Sequence, residues 1–582
     1  MLTPIKAKLA QVLAPEMGIT AQRVAELFEI PKDLDHGHLA VPVFSLAKER
    51  KKAPPQIAKE ISEKLLTLKI EGVANVVPVA GYVNFHLDER VLFRSLYSEV
   101  QRQGEKLAWG QTGAGQTVII DYSSPNVAKP MHVGHLRATV IGQAIRNLAE
   151  TQGYKVIGLN HLGDWGVQFG KLAYAYEKWG SEYDFKKEPF ESLFKLYVRF
   201  HSEAEKDPEL DKQGSLVFKR LEQGDAGLTE LWRKFVDISM ADFDRQWKRL
   251  GVKHDLVRGE SFYNDRLRAT EDLIQKKGLL VESEGAMVVN LDDEKMPPCL
   301  IRKGDGASLY ATRDIASALY RFEELKADLA LYVVGNDQAL HFKQVFSVLK
   351  RMGFSWFSKC HHISFGMYRF KDDGTGAGKM SSRKGQIIRL EDLLNRAIEI
   401  VRELMSEKNA ELRASDLASF NKISEQVAIG AIVFNDLIND RVRDVEFDWQ
   451  KALSFEGDSG PYVQYVSVRC RSVLAKYAVT TKAALPEVGE LNALESPEER
   501  NLMKTLMQYE MVLAQSFRIF KPSTLAGYLL DVCTAFNQFY HHHKILVGEP
   551  ALIKSRIALV YITQSVIISG LRVLNIEAPE KM

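Results

Sequence analysis

"TVIIDYSSPNVAKPMHVGHLRATVIGQAIRNLAETQG", residues 117–153, decides the fold. Its first six residues are an apolar burst that reads as a buried strand. Residues 136–153 read as a helix ended by Gly153. Between them His132 and His135 bracket Val133 and Gly134, with Lys129 just ahead. A histidine pair therefore lies at a strand-to-helix junction. The plain structural account is that one histidine caps the helix and the other packs. A metal site is disfavoured, because no carboxylate or cysteine stands at ligand spacing nearby. A phosphate site has a direct argument. A helix N-terminus offers unpaired N–H groups and partial positive charge. Gly134 lets a nucleotide approach the backbone, and His132 and Lys129 add donors. In a doubly wound sheet, ligands bind at the carboxyl ends of the strands.

Outward from this stretch, "KVIGLN", "GAMVVNL" and "ALYVVGN" alternate with helical segments up to about residue 375. That alternation predicts a parallel α/β sheet. Charged helical sequence around 176–255, such as "FESLFKLYVRFHSEAEKD", reads as an insertion. Residues 1–108 mix patterns: "APPQIAKEISEKL" (53–65) reads as a helix and "GYVNFHL" (81–87) as a strand. "LAWGQTGAGQT" reads as a linker. From about 386 onward the pattern is almost exclusively helical. The expected fold class is α/β: a Rossmann-like parallel-sheet domain with an α+β N-terminal domain and an all-α C-terminal domain. The expected boundaries are 1–108, 112–375, 376–450 and 451–582.

With 582 residues, 46% of them hydrophobic, the chain is large enough for several cores. No stretch of 18 or more apolar residues occurs, so no membrane span is expected. The N-terminus lacks the pattern of a signal peptide. Cys299, Cys360, Cys470 and Cys533 are isolated in sequence, which argues against a zinc knuckle or disulfide framework and fits a cytoplasmic location. No metal site is expected. A net charge of +2 does not announce a nucleic-acid partner.

A second element sharpens the phosphate reading. "GKMSSRKG" (378–385) follows the loop "KDDGTGA". A solvated basic loop is the ordinary account of such a run. Lysine, hydroxyls and arginine on a Gly-rich segment also suit a lid over a triphosphate, acting through charge and positioning. Together the two elements resemble the HIGH and KMSKS signatures of class I aminoacyl-tRNA synthetases. "SSPNVAKPMHVGHLR", "NHLGDWGVQFG", "SLYATRDIASALYR", "FEGDSGPYVQYVSVR" and "VLNIEAPEKM" narrow the resemblance to the arginyl-tRNA synthetases, over nearly the whole chain.

The resemblance implies the ATP-dependent ligation of L-arginine to tRNA(Arg) through an arginyl-adenylate. It also implies an N-terminal domain that touches the tRNA elbow and a C-terminal domain that binds the anticodon. ATP with Mg2+ is the expected cosubstrate, the chain is expected to be a monomer, and arginine activation is expected to require tRNA. His132 and His135 match the HIGH histidines. Lys379, Met380 and Ser381 match K-M-S. Ser382 stands where the general motif has its second lysine, a departure shared by many arginyl enzymes. Lys129 is the implied compensating charge, and Arg383 and Lys384 lie close in sequence.

The substrate chemistry argues independently for acids. A planar guanidinium offers donors that a carboxylate accepts in parallel. Asp121 lies at a strand end, and Tyr310 and Asp314 lie four residues apart near a helix start. By resemblance, Ser124, Asn126, His135, Tyr310, Asp314 and Gln338 line the amino-acid site, and Asp121 matches a family acid. The ordinary alternatives are an N-cap for Asp314, a strand core aromatic for Tyr310 and a loop residue for Gln338. Asp164 and Gln168 read as structural, near a turn at Gly163 and Gly166. Residues 451–582 hold 14 Lys plus Arg against 12 Asp plus Glu, so no basic domain stands out. Tyr462, Tyr465, Phe536, Phe539 and Tyr540 are candidates for stacking on unpaired bases, with some of them expected in the core. Residues 541–543, "HHH", read as a solvated or RNA-facing patch. Two other readings stay open. A small-molecule nucleotidylyltransferase also uses H-x-G-H but is much shorter. A non-catalytic RNA-binding relative would show damaged motifs.

Overall fold

The computed structural model describes residues 3–31, 36–302, 310–370, 388–408, 410–483, 485–492 and 494–582. An N-terminal unit packs the helix Pro54–Thr67 on a three-stranded antiparallel sheet, in which Tyr82–Leu87 is central. Pro54 starts that helix, where its missing N–H costs no hydrogen bond.

The central sheet has five parallel strands. They are β1 (Thr117–Asp121), β2 (Lys155–Asn160), β3 (Leu256–Val257), β4 (Leu329–Tyr332) and β5 (Cys360–His362). Their spatial order is β3-β2-β1-β4-β5. The chain steps outward from β1 in one direction and then returns to the other side, so the switch point lies between β1 and β4. Asp121 and Tyr332 are register neighbours there. Four of the five β1 residues are buried, as expected for a strand covered on both faces. "GAMVVNL" is a strand but not part of this sheet. Ala286–Val289 pairs antiparallel with Leu280–Ser283 and Cys299–Arg302 in a separate small sheet.

Helix α1 (Val133–Thr151) follows β1. It is buried almost all round, because the sheet lies on one side and C-terminal helices on the other. Four helices spanning 167–249 separate β2 from β3; one of them is α2 (Pro189–Ala204). Helices α3 (Tyr310–Leu319) and α4 (Ala339–Arg351) flank β4. The later chain is helical, including α5 (Leu417–Leu437), α6 (Gly460–Thr481) and α7 (Pro522–His542). One short exception, Val445–Phe447, pairs with Tyr368–Phe370. The helix Pro550–Val573 is long and apolar enough to cross a membrane by length and composition. Here it packs against α6, with Ile557, Leu559, Ile562 and Val566 fully buried.

Arg137 on α1 ties these layers together with no exposed side-chain surface. Its Nε donates to Asp436 on α5 at 3.0 Å, and Nη1 donates to the Gly366 and Arg443 carbonyls at 2.7 and 3.0 Å. Burial pushes the Asp436 carboxyl up, and Arg137 opposes that shift.

Candidate active site

The turn after β1 is tight and strained. Ser123 and Ser124 both adopt left-handed backbone angles, φ 75° and 44°. Such residues persist only where their surroundings over-determine them. Trp247 Nε1–H donates to Ser123 Oγ at 2.9 Å, and the Ser123 and Thr139 hydroxyls are 2.8 Å apart. Ser124 Oγ donates to Asp121 Oδ1 at 3.1 Å. Asn126 then forms a parallel bridge with Gly163, whose N–H donates to the Pro125 carbonyl. A Cβ at Gly163 would lie 2.2 Å from Asn126 Oδ1, so the approach needs glycine.

The two histidines build the start of α1. His132 is its N-cap: Nδ1 accepts from the Gly134 N–H at 3.0 Å. His135 reaches back, its Nδ1 accepting from the His132 N–H at 3.1 Å. This is a capping box made of imidazoles. Gly134 serves it directly, since a Cβ there would sit 2.8 Å from His132 Cε1. Burial and the nearby Lys129 charge lower the His132 pKa. Burial, His132 and Lys129 lower that of His135 to about 3. Both rings are therefore neutral at pH 7. A neutral imidazole whose Nδ1 accepts carries its proton on Nε2. The capping role thus leaves two Nε2–H donors at a positive helix end. Capping uses only the Nδ1 atom of each ring.

Several acids lie on the elements around this turn. Asp121 has both oxygens engaged: Arg321 Nη2 donates to Oδ2 at 2.5 Å, and Ser124 donates to Oδ1. The Arg321 guanidinium also lies 4.3 Å from the Tyr332 ring centroid. Asp314 is the fifth residue of α3, not its cap, and its Oδ2 is 2.5 Å from His341 Nε2 on α4. Burial raises the Asp314 pKa, but the hydrogen bond and charge of His341 outweigh it, and the carboxyl sits below its ordinary range. Glu260 follows β3. Burial, with the Asp164 and Asp314 charges and against Arg313, pushes it up to about 7. Asp164 is a packing acid, accepting from the Ser261 N–H and hydroxyl at 2.8 and 2.6 Å.

Known proteins match this chain along its length. The family description "tRNA synthetases class I (R), catalytic domain" matches residues 98–449. "Arginyl tRNA synthetase N terminal domain" matches 3–87, and "DALR anticodon binding domain" matches 463–582. A curated arginine–tRNA ligase of Exiguobacterium sibiricum is 44% identical over 99% of this chain and all of its own length. The chain belongs to the arginyl-tRNA synthetase family. An arginine–tRNA ligase of Clostridium botulinum is 41% identical over the same share of the chain. Among solved structures, the Thermus thermophilus arginyl-tRNA synthetase superposes with a TM-score of 0.81 at 25% identity. It covers 99% of this chain and all of its own.

Within this arginyl-tRNA synthetase fold, Asp121 ends β1 and Ser124, Asn126, Lys129, His132, Gly134 and His135 follow it, at the carboxyl end of the sheet. Tyr310 opens α3 and is 67% exposed, so it is not a strand core aromatic. Gln338 stands at the N-cap position of α4 without a side-chain cap bond and is exposed. Lys379, Met380, Ser381, Ser382 and Arg383 lie outside the described residues. The chain that brackets them is anchored. Tyr368–Phe370 pairs with Val445–Phe447, and the Ile388 carbonyl accepts from the Val133 N–H beside His132. Sequence reading missed His341, Glu260 and Arg321. The only signal for Glu260 was an acid after glycine, "RGES", behind a strand of two residues.

In the helical region, Phe536 and Phe539 are core. Tyr465 and Tyr540 are partly exposed, and the Arg469 guanidinium lies 4.8 and 5.1 Å from their ring centroids. Asn537 accepts from Arg469 Nη1 at 2.9 Å and donates to Tyr462 Oη at 2.8 Å. His543 hydrogen-bonds with Glu498 and Arg556.

Proposed function

We propose that the crevice between β1 and β4 activates L-arginine with ATP and passes it, through arginyl-adenylate, to the 3′ end of tRNA(Arg). The arginine carboxylate attacks the α-phosphate and pyrophosphate leaves. The observation that carries this reading is the imidazole capping box, whose two Nε2–H donors stand at the positive end of a 19-residue helix. Donors aimed where phosphate charge develops lower the barrier without covalent chemistry. Lys129 supplies further charge, and the Lys379–Arg383 segment the rest. Mg2+ enters as the counterion of ATP, held chiefly by its phosphates.

The guanidinium is received by Asp314 and Glu260, with Tyr310 beside them. Asp121, held by Arg321 and Ser124, supports the turn that carries Ser124 and Asn126 to the substrate's backbone end. Gln338 closes the rim. The exposed Tyr465–Arg469–Tyr540 stack is the platform for unpaired tRNA bases, because every base has a face that stacks on an aromatic or guanidinium plane. The segment 1–108 takes the tRNA elbow, and 376–450 lies along the stem. The protein works as a cytoplasmic monomer, to be checked by sedimentation. ATP–pyrophosphate exchange with arginine, run with and without tRNA(Arg), tests the whole reading. Exchange that depends on arginine and appears only with tRNA(Arg) is expected. Exchange without tRNA removes the tRNA requirement, and no exchange in either case removes the activity.

A further inference from the structure

Two cations flank the histidine pair, and one face of α2 holds both. Glu191, Phe194, Tyr197 and His201 recur at spacings of three and four, so they share that face. The other face is core: Leu193, Leu196 and Phe200 are buried. Arg389, whose backbone pairs with His132, donates to Glu191 at 2.5 and 3.3 Å and lies 4.9 Å from the Phe194 ring. Lys129 lies three residues before His132, and its Nζ is 5.2 Å from the centroid of the Tyr197 ring. The Tyr197 ring lies 4.5 Å from that of His201, tilted by 60°.

The two cations are held by different chemistry. Arg389 is neutralised by a carboxylate, as suits an anchor. Lys129 has no carboxylate partner among the described residues; it leans on a ring. A ring face attracts a cation through its quadrupole without cancelling its charge. A carboxylate at that place would cancel the charge and repel a triphosphate. We propose that Tyr197 is a positioning residue for Lys129: its ring holds the ammonium, still fully charged, beside the histidine pair where the nucleotide phosphates bind. The inference rests on the reading above, that Lys129 serves the phosphates.

The test is a double-mutant cycle in ATP–pyrophosphate exchange with tRNA(Arg) present. Tyr197→Leu is expected to raise the ATP KM roughly 3- to 30-fold, the factor that corresponds to one cation held over a ring, and to leave the arginine KM unchanged. Tyr197→Phe keeps the ring and restores the ATP KM. Tyr197→Glu raises it beyond the Leu value. In a Lys129→Ala background, Tyr197→Leu adds nothing further. An unchanged ATP KM in a folded Tyr197→Leu protein overturns the proposal. So does a Leu effect that persists in full in the Lys129→Ala background, or a Phe variant as poor as Leu. If Lys129→Ala alone leaves exchange untouched, the reading of Lys129 itself falls, a result distinct from the others. Tyr197→Met, of different shape and equally ringless, must follow Leu; a Met protein with a normal ATP KM also refutes the role of the ring.

Discussion

Replacing Asp314 by Asn keeps the shape of the side chain and removes its charge. The carboxylate stands inside α3, with one fifth of its side-chain surface exposed and its Oδ2 against His341. Asn can still accept from His341, so the local packing survives. What it cannot do is neutralise a guanidinium. A hydrogen bond to a charged group is worth about 1.5–3 kcal/mol. Losing the charge from a parallel pair of them, with partial compensation by the amide oxygen, costs about 3 kcal/mol of arginine binding. At 1.4 kcal/mol per tenfold, the arginine KM rises roughly 10²-fold. The ATP KM stays within about threefold, because the phosphates bind across the switch point. Glu260 should titrate lower in the variant, because the Asp314 charge is one of the causes that raise it. The assay is pyrophosphate exchange at saturating ATP with arginine varied, run beside His341→Ala. An arginine KM within about threefold of the parent would refute the reasoning and move the guanidinium to Glu260 alone. An equal defect in His341→Ala would mean that Asp314 acts through the histidine.

Three further outcomes are expected. His132→Ala should lower the exchange kcat by about 10²–10³-fold and also loosen α1 by about 1 kcal/mol through the lost cap; His132→Asn should recover thermal stability but not rate, and recovery of both leaves His132 a cap only. The Glu260 pKa is raised to about 7 in the folded chain. The folded state therefore binds more protons than the unfolded one between about pH 4.5 and 7, and this group's contribution to stability falls as pH rises through that window. Arginine binding near pH 7 should release part of a proton from Glu260, seen as a buffer-dependent calorimetric enthalpy that disappears in Glu260→Gln. Arg137→Met strands Asp436 in the core and should destabilise by about 3–5 kcal/mol; pairing it with Asp436→Leu should recover most of the loss in urea titrations, and a single variant as stable as the parent would dismiss the clamp.

Long periodic segments were readable: β1, α1 and the C-terminal helices stand where the apolar patterns put them. "KVIGLN" and "GAMVVNL" look alike, yet one joins the parallel sheet and the other a small antiparallel one. Apolar period carries no record of partner. Tyr310 and Asp314 do lie near a helix start, and the strand and N-cap alternatives fail because α3 already begins at Tyr310. His341 could not be paired with Asp314, 27 residues away, until α3 and α4 were laid side by side. The left-handed serines at 123 and 124 defy local preference. Ser123 is held by Trp247, 124 residues away, and Ser124 by Asp121.

Arg137 also sets a clock. Its carboxylate partner lies 299 residues further along the chain. At about 5–20 residues per second, a ribosome needs roughly 15–60 s to make that partner. For that interval Arg137 lacks its carboxylate partner, and the outer flank of α1 waits for helices not yet made. Every residue proposed to touch arginine or ATP precedes position 384, yet a chain ending there would hold the complete reacting set and lack the charge that closes its core.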